Sequence, residues 1–327
     1  MNISRLLIPV LLIGALVGCQ AERTTPTARN GTQREINFGY QPFGNNLPFF
    51  VAVDKGYFEH HGLKIKPVKI ISANDAGTAL LHGQIAANAT LPLNVILNIE
   101  EQEPGRVKAF MFKTTSTKQW SDFLLVPPNS RIKTLGELAG GKVGGYPGTA
   151  QQTILKLILS RFFDPSKATL IELAPNVQLQ ALKTGQIDAL LTYDETALTA
   201  IDDGAGRVLV ENPIGKYVID PFYGFAYAVS GKFAKDDPQS ARAIIEAMTE
   251  ASEYIRTNES DARAIMAKWV SARPEVAARV RLWAQIPASS VDKIALQRLA
   301  DIYFDAGVMK KKIDTSQILL TPADLAK

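Results

Sequence analysis

From residue 36 onward, short apolar runs alternate with longer stretches whose apolar positions recur every three to four residues. The first pattern predicts strands and the second amphipathic helices. Residues 36–40 read as a strand, and 41–47 supply loop chemistry through Pro, Gly and two Asn. Pro48 then starts a helix that Gly56 ends. A second strand is expected at 64–71, a helix from the Ser72-Ala73-Asn74-Asp75 turn to His82, a third strand at 85–89, and a helix opened by Thr90-Leu91-Pro92. Strands follow at 107–112 and 123–126, and Pro127-Pro128-Asn129-Ser130 reads as a hinge. Beyond it come a short helix at 134–139, a strand at 142–146, a helix at 150–161, a strand at 170–173, a helix at 177–184 and a strand at 187–191. After a strand at 225–229 the pattern turns helical, at 238–256, 258–270, 274–284 and 290–306. Steady succession of strand, loop and helix predicts an α/β fold with largely parallel sheets.

The succession is used twice. Ala79-Leu80-Leu81-His82-Gly83-Gln84-Ile85-Ala86-Ala87 returns with six identities as Ala181-Leu182-Lys183-Thr184-Gly185-Gln186-Ile187-Asp188-Ala189, at an offset of 181 − 79 = 102. Gly39-Tyr40 is echoed by Gly145-Tyr146-Pro147 at 145 − 39 = 106. The longer repeat reads as a helix-to-strand turn at the far end of each lobe, so it reports duplication rather than ligand contact. Two facing lobes make a cleft, and clefts hold small ligands. The lobes are expected at 36–127 with a helical return at 222–327, and at 128–221.

The N-terminal segment sets the compartment. Arg5 precedes an uncharged apolar run from Leu6 to Val17, followed by Gly18-Cys19. The run is too short to span a bilayer and reads as a secretory signal at 1–18. Leu16-Val17-Gly18-Cys19 resembles a bacterial lipobox, which implies a diacylglycerol on Cys19, the only cysteine of the 327-residue chain. Residues 19–35, poor in apolar side chains, read as a flexible tether. With Cys19 lipidated, no thiol is left for a disulfide, a metal or a nucleophile. Net charge is only +4, with basic and acidic residues scattered, and the Lys310-Lys311-Lys312 run reads as a solvated helix end or loop. No basic stripe or nucleic-acid module is present. The three histidines, His60, His61 and His82, show no metal-ligand spacing to a second group, and no phosphate loop or nucleophile elbow occurs. Neither a cofactor nor a metal is expected.

Several clusters together carry a family resemblance: Gly39-Tyr40-Gln41, Pro48 through Ala52, Lys55-Gly56-Tyr57-Phe58 with Gly62-Leu63, Ala79-Leu80 with Gly83-Gln84-Ile85, Thr134-Leu135 with Leu138, Gly141-Lys142-Val143-Gly144, and Gly185-Gln186-Ile187-Asp188-Ala189. Residues 36 to about 310 resemble the solute-binding proteins of the nitrate, sulfonate and taurine class of ATP-driven importers, within the family that includes thiamine-pyrimidine-binding proteins. Ala86-Ala87 departs from the Asp-Ala or Asp-Val usual there. The resemblance implies a type II two-lobed periplasmic-binding-protein fold, two crossover strands, and a monomeric, lipid-tethered receptor outside the cytoplasm. It also implies a small anionic, zwitterionic or heteroaromatic solute, delivered to a permease and its ATPase. An exported sensor without a transport role is the other binding reading. A same-fold enzyme is disfavoured by the missing Cys- and His-rich chemistry and by the export signal.

Ligand contacts are expected where loops leave the carboxyl ends of the strands and helix N-termini converge. Gly148-Thr149-Ala150-Gln151 combines close backbone approach, a hydroxyl and a helix start; an ordinary helix cap is the competing reading. Tyr40, Gln41, Asn45 and Asn46 form the expected opposite wall, with Ser72, Asn74 and Thr90 at the next two strand ends. Trp120 and Ser121 precede a crossover, where Trp120 either covers ligand or staples the hinge. Tyr193 ends a strand at the cleft, and Tyr223 sits at the return hinge. Asp194 either holds an amine or caps the following helix.

Overall fold

Two mixed sheets carry the chain in the computed structural model, which describes residues 35–270 and 272–326. The signal segment, Cys19 and all but the last tether residue lie outside the described residues. In chain order the strands are β1 (Glu35–Tyr40), β2 (Lys64–Lys69), β3 (Ala87–Pro92), β4 (Val107–Thr115), β5 (Asp122–Val126), β6 (Lys142–Gly145), β7 (Thr169–Glu172), β8 (Ala189–Tyr193), β9 (Arg207–Glu211), β10 (Phe222–Ser230) and β11 (Ala284–Pro287). The first sheet has the order β11-β4-β10-β3-β1-β2 and the second β7-β6-β8-β5-β9.

Read from opposite ends, the two orders match strand for strand once the extra edge strand β11 is set aside. In the first sheet β1 pairs in parallel with β2 and β3, while β10 lies antiparallel between β3 and β4. In the second, β6 pairs in parallel with β7 and β8, while β5 lies antiparallel between β8 and β9. The sheets are therefore mixed rather than largely parallel. Each inserted antiparallel strand belongs to a stretch of chain arriving from the other lobe, which enters its new sheet from the opposite end.

This exchange corrects the expected lobe boundary. Residues 123–126 were expected in the first lobe, ahead of a hinge at 127–130, yet β5 pairs with β8 and β9 of the second sheet. The chain changes lobes at residues 116–121 and returns at 212–221. Thr117 ties the two crossings together, its backbone N–H donating to Asp220 Oδ1 (3.1 Å) and its hydroxyl to Asp220 Oδ2 (2.8 Å). A second correction falls at 274–284: the helix stops at Ala277, and Ala284–Pro287 adds an antiparallel edge strand to β4. Pro287 is tolerated at an edge, where no further strand needs its missing N–H.

Strand register turns the sequence repeat into a structural one. Gly83 and Gly185 both take left-handed conformations, with φ of 67° and 70°. In each turn the next Gln N–H closes the helix end, Gln84 N donating to Ala79 O (2.9 Å) and Gln186 N to Ala181 O (3.0 Å). Phe38 pairs with Ala87 and Val143 with Ala189, so the first strands correspond at an offset of 143 − 38 = 105. Gly39 therefore matches Gly144, and Gln41 matches Tyr146. The echo of Gly39-Tyr40 in Gly145-Tyr146 is one residue out of register, and one residue reverses the face. Glycine contacts support the corrected register. A Cβ on Gly39 would sit 2.7 Å from Ile85 Cδ1, and one on Gly144 would sit 2.8 Å from Ile187 Cδ1.

Helices Pro238–Thr257 and Glu259–Val270 pack on the first lobe, as the pattern predicts. Ile244, Ile245, Met248, Ile265 and Met266 share one buried cluster with Phe38, Phe49, Phe50 and Phe58. A smaller cluster around Phe123, Leu182, Ile187 and Leu190 packs part of the second lobe, and a larger one runs through both lobes, from Leu80, Ile96 and Phe112 to Leu124, Val143 and Leu155.

Replacing Gly144 by Ala is expected to cost about 1–3 kcal/mol by overpacking against Ile187 and Leu173. In urea unfolding, Gly144→Ala combined with Ile187→Val should cost less than the sum of the two single changes. Simple additivity would refute the contact.

Candidate functional site

At the carboxyl ends of the parallel strands the lobes shut on a cavity leaving about 80 Å³ of open space. The first lobe contributes Gln41, Phe43 and Asn45 after β1, Ile71 and Ala73 after β2, Thr90 and Pro92 of β3, Phe225 of β10, and Trp283. The second contributes Tyr146 and Pro147 after β6, Ala150, Gln151 and Pro175 at helix starts, and Tyr193 and Glu195 at the end of β8. A larger groove, about 840 Å³, lies outside this cleft between helices Thr149–Leu159 and Lys293–Asp305. The smaller cavity is the better site, because only there do buried, unpaired polar groups of both lobes converge.

Five rings line the cavity. Tyr146 and Tyr193 stack at 5.6 Å, and Phe43 meets Tyr146 edge-on at 5.4 Å across the lobe boundary. Trp283 packs against Tyr193 (5.7 Å) and Phe225 (5.6 Å). Such surfaces favour an apolar or flat ligand body.

Two amides leave buried polar atoms unpaired at the cavity. Gln41 is 2 % exposed, and neither its Oε1 nor its Nε2 has a partner among the described residues. Gln151 Nε2 is likewise unpaired, while its Oε1 accepts from the Tyr193 hydroxyl at 3.5 Å. Buried polar groups are rarely left so, since each costs about 1–3 kcal/mol. Helices Ala73–Leu81, Leu93–Gln102, Thr149–Leu159, Pro175–Lys183 and Asp194–Asp202 all bring their N-terminal ends to the cavity. Their aligned dipoles favour negative charge there, although Asn74 N and Asp75 N are taken by Ser72 Oγ and Asp194 N by Ser121 O.

A lysine stands behind the wall. Lys113 of β4 is fully buried, its Nζ donating to Thr90 Oγ1 (2.6 Å) and to Asn46 Oδ1, and lying 4.3 Å from the centre of the Tyr227 ring. No carboxylate pairs with it among the described residues, and burial pushes its amine well below the usual lysine range. Asn45 Oδ1, on the cavity side, lies 3.4 Å from the same Nζ.

Beside the cavity the lobes are latched. Asp194, 1 % exposed, accepts from Arg281 N and Nη1, both at 2.7 Å. Arg281 also lies over the Trp120 ring at 3.9 Å. Glu195 Oε1 reaches across to accept from Gly44 N at 2.8 Å. Farther along the same helix, Asp202 pairs with Arg279 at 2.8 Å. Burial raises the Asp194 carboxyl to about 7, the Arg281 bonds opposing the shift only in part, and pushes Glu195 up as well. Asp122, at the start of β5, is raised by burial to about 6.

Of the residues expected from the sequence, Gln41, Asn45, Thr90, Ala150 and Tyr193 line the cavity. The others are placed elsewhere, each for a local reason. Tyr40 points to the opposite face and stacks on Phe49 at 5.6 Å. Asn46 is consumed by Gln41 O, Thr90 and Lys113. Ser72 Oγ caps Asn74 N and Asp75 N, leaving Asn74 exposed on the helix surface. Trp120 staples the crossing through Phe123 and Arg281. Ser121 is buried beside it, its carbonyl accepting from Asp194 N. Gly148, at φ 110°, turns the chain into the helix, and Thr149 faces the outer groove. Asp194 is spent on the latch rather than on an amine or a cap, and Tyr223 packs in the core against Phe112. Gln151, the last residue of the Gly148-Thr149-Ala150-Gln151 segment, also lines the cavity, whereas sequence reasoning missed Tyr146, Phe225, Trp283, Glu195 and Lys113 as site residues. The 105-residue register offset was the available signal for Tyr146; the rest are joined by long-range pairing.

Two sheets that exchange their antiparallel strands around a shut cavity at their strand ends define a two-lobed periplasmic-binding-protein fold. The chain belongs to the NMT1/THI5-like family, which residues 44–262 match. It is 25% identical over 220 residues to a putative aliphatic sulfonates-binding protein of Escherichia coli (strain K12), covering 64% of this chain and 65% of that relative's length. The crystal structure of the periplasmic aliphatic sulphonate-binding protein SsuA of Escherichia coli matches with a TM-score of 0.70 at 19% identity, covering 88% of this chain and 98% of that one. SsuA of Xanthomonas axonopodis pv. citri, bound to MOPS, gives 0.71 at 18% identity, over 89% and 100%.

The raised carboxyls fix a pH dependence. Protonation of Asp194, Asp122 and Glu195 is favoured in the folded state, so their stabilising contribution is full below their ordinary values near 4 and is lost as pH rises through about 6 and 7. Between pH 5 and 8 the protein should lose about 4 kcal/mol from Asp194 and Asp122. Melting curves should show Asp194→Asn flattening the upper part of that decline; an unchanged slope would contradict the assignment.

Proposed function

We propose that this chain is the solute-binding component of an ATP-driven importer, anchored outside the cytoplasm by a lipid on Cys19. Its ligand is a small organic anion, a sulfonate or carboxylate on an apolar or aromatic skeleton. The observation that carries this reading is the pair of buried, unpaired amides, Gln41 and Gln151, facing one cavity from opposite lobes. A ligand that satisfies both stabilises only the shut form, so binding shifts the population toward it. Helix N-termini take the anionic head, the rings take the body, and Lys113 adds a buried amine one layer behind Asn45 and Thr90, whose protonation an anion would favour. The relatives' descriptions as sulfonate-binding proteins support the same ligand class. No chemical step is needed. The shut form is what a permease would read, since shutting brings surfaces of both lobes into one face.

A thermal-shift screen over sulfonates, carboxylates, amines and pyrimidines tests the reading. Aryl or alkyl sulfonates or carboxylates should raise the melting temperature, because a ligand bound only by the native state stabilises it. Gln41→Leu and Gln151→Leu should each weaken binding about tenfold, the loss of one good hydrogen bond. Lys113→Met should weaken anions and spare neutral ligands of the same shape. A response confined to amines would overturn the proposal.

Lipidation has its own test. Cells labelled with palmitate should incorporate label into the wild-type chain and not into Cys19→Ala; label persisting in the variant would exclude the anchor.

A further inference from the structure

On the first lobe, away from the cavity lining, His60 and His61 meet Glu250 and Glu246 of helix Pro238–Thr257. His61 Nε2 is 3.0 Å and His60 Nδ1 3.4 Å from the same oxygen, Glu250 Oε2. These three residues can each offer one ligand atom, all within 4.8 Å of one another. Zinc binds imidazole nitrogen and carboxylate oxygen at about 2.0–2.2 Å, which in a tetrahedral shell separates neighbouring ligand atoms by about 3.4 Å. The observed spacings are close to that shell already.

The geometry points to a surface site for a borderline divalent metal ion of the zinc type, held by His60 Nδ1, His61 Nε2 and Glu250, with a fourth position open to solvent. A second observation supports it. The other nitrogen of His61, Nδ1, faces Glu246 Oε2 at 3.6 Å, and Glu246 is itself held by Arg242 Nε at 2.8 Å. A ligating histidine usually gives its remaining N–H to a carboxylate, which fixes its tautomer and orientation. The backbone is fixed as well. Phe58, two residues before His60, shares a buried cluster with Ala247, Met248 and Ala251 of the facing helix. The histidines differ in setting: the His60 side chain is 72% exposed and that of His61 23%. One ligand is thus preorganised and the other free to swing onto the ion.

The donor set decides the metal. Two imidazoles and one carboxylate suit zinc, nickel or copper, whereas magnesium and calcium prefer all-oxygen shells. Spacing along the sequence gives no hint of the site, because Glu250 lies 250 − 60 = 190 residues from His60.

Zinc chloride titrated into the full chain carrying Cys19→Ser, which removes its only thiol, tests this by calorimetry and melting. One zinc per chain should bind with micromolar affinity and raise the melting temperature, and magnesium should do neither. His61→Ala and Glu250→Gln should each weaken zinc about tenfold or more, and Glu246→Gln by a smaller factor. Metal-free melting temperatures of these surface variants show that they fold. Wild-type zinc affinity in either His61→Ala or Glu250→Gln, or no one-to-one binding at micromolar zinc, would overturn the proposal.

Discussion

Strand exchange constrains everything else in this molecule. β5 is central to the second sheet but continues a crossing that leaves the first, and β10 does the reverse. Neither lobe can be completed without chain from the other. The lobes therefore cannot separate; they can only turn about residues 116–121 and 212–221, which Thr117 and Asp220 hold together. Because both crossings lie on one side, the carboxyl ends of the parallel strands face each other, and the loops leaving them have a common space to line. The position of the cavity follows from topology before any side chain is considered.

Closure rests on contacts of uneven kind. The Asp194–Arg281 pair is strongly desolvated at the carboxylate, and breaking such a pair by removing one partner is costly, though forming it contributes little net stability. Its value lies in specificity of position: only one rotation of the lobes brings Arg281 onto both Asp194 and Trp120. Glu195 works in the same direction, since its bond to Gly44 N exists only when the lobes meet. The unpaired amides pull the other way. Gln41 and Gln151 are shut in at a cost, so the protein alone gains less from closing than the latch suggests. A ligand that paired both amides would remove that cost and so favour the shut form.

Much of the fold was legible in the sequence, because turn chemistry and periodicity are local. The Gly83 and Gly185 turns, the Pro48 helix start and the late helices on the first lobe follow from residues a few positions apart. What escaped depends on pairing between distant segments. β5 reads as an ordinary strand and nothing nearby says which sheet it joins; the helical pattern of 274–284 stops at Ala277, and the open edge of β4 claims Ala284–Pro287. The site divides the same way. Gln41 and Tyr193 stand at strand ends and were visible, whereas Tyr40 was misplaced by one position of register. Trp283 reaches the cavity, and Lys113 the layer behind it, through contacts that no local pattern encodes.

A short ledger of buried groups bears on the anionic ligand proposed for this cavity. Among the described residues no Lys, Arg or His lines the cavity, and its one lining acid, Glu195, already accepts from Gly44 N at the start of a helical turn. A cation would have to sit where several helices present their N-terminal ends, against their dipoles and beside the Lys113 amine. An anion meets all of these favourably. Lys113 contributes most when charged, and burial opposes that charge in the absence of a partner. An anionic ligand at Asn45 and Thr90 supplies the missing opposite charge and so favours protonation of Lys113. The wall and its ligand would thus stabilise each other's ionisation, which a permanently charged residue exposed in the cavity could not do.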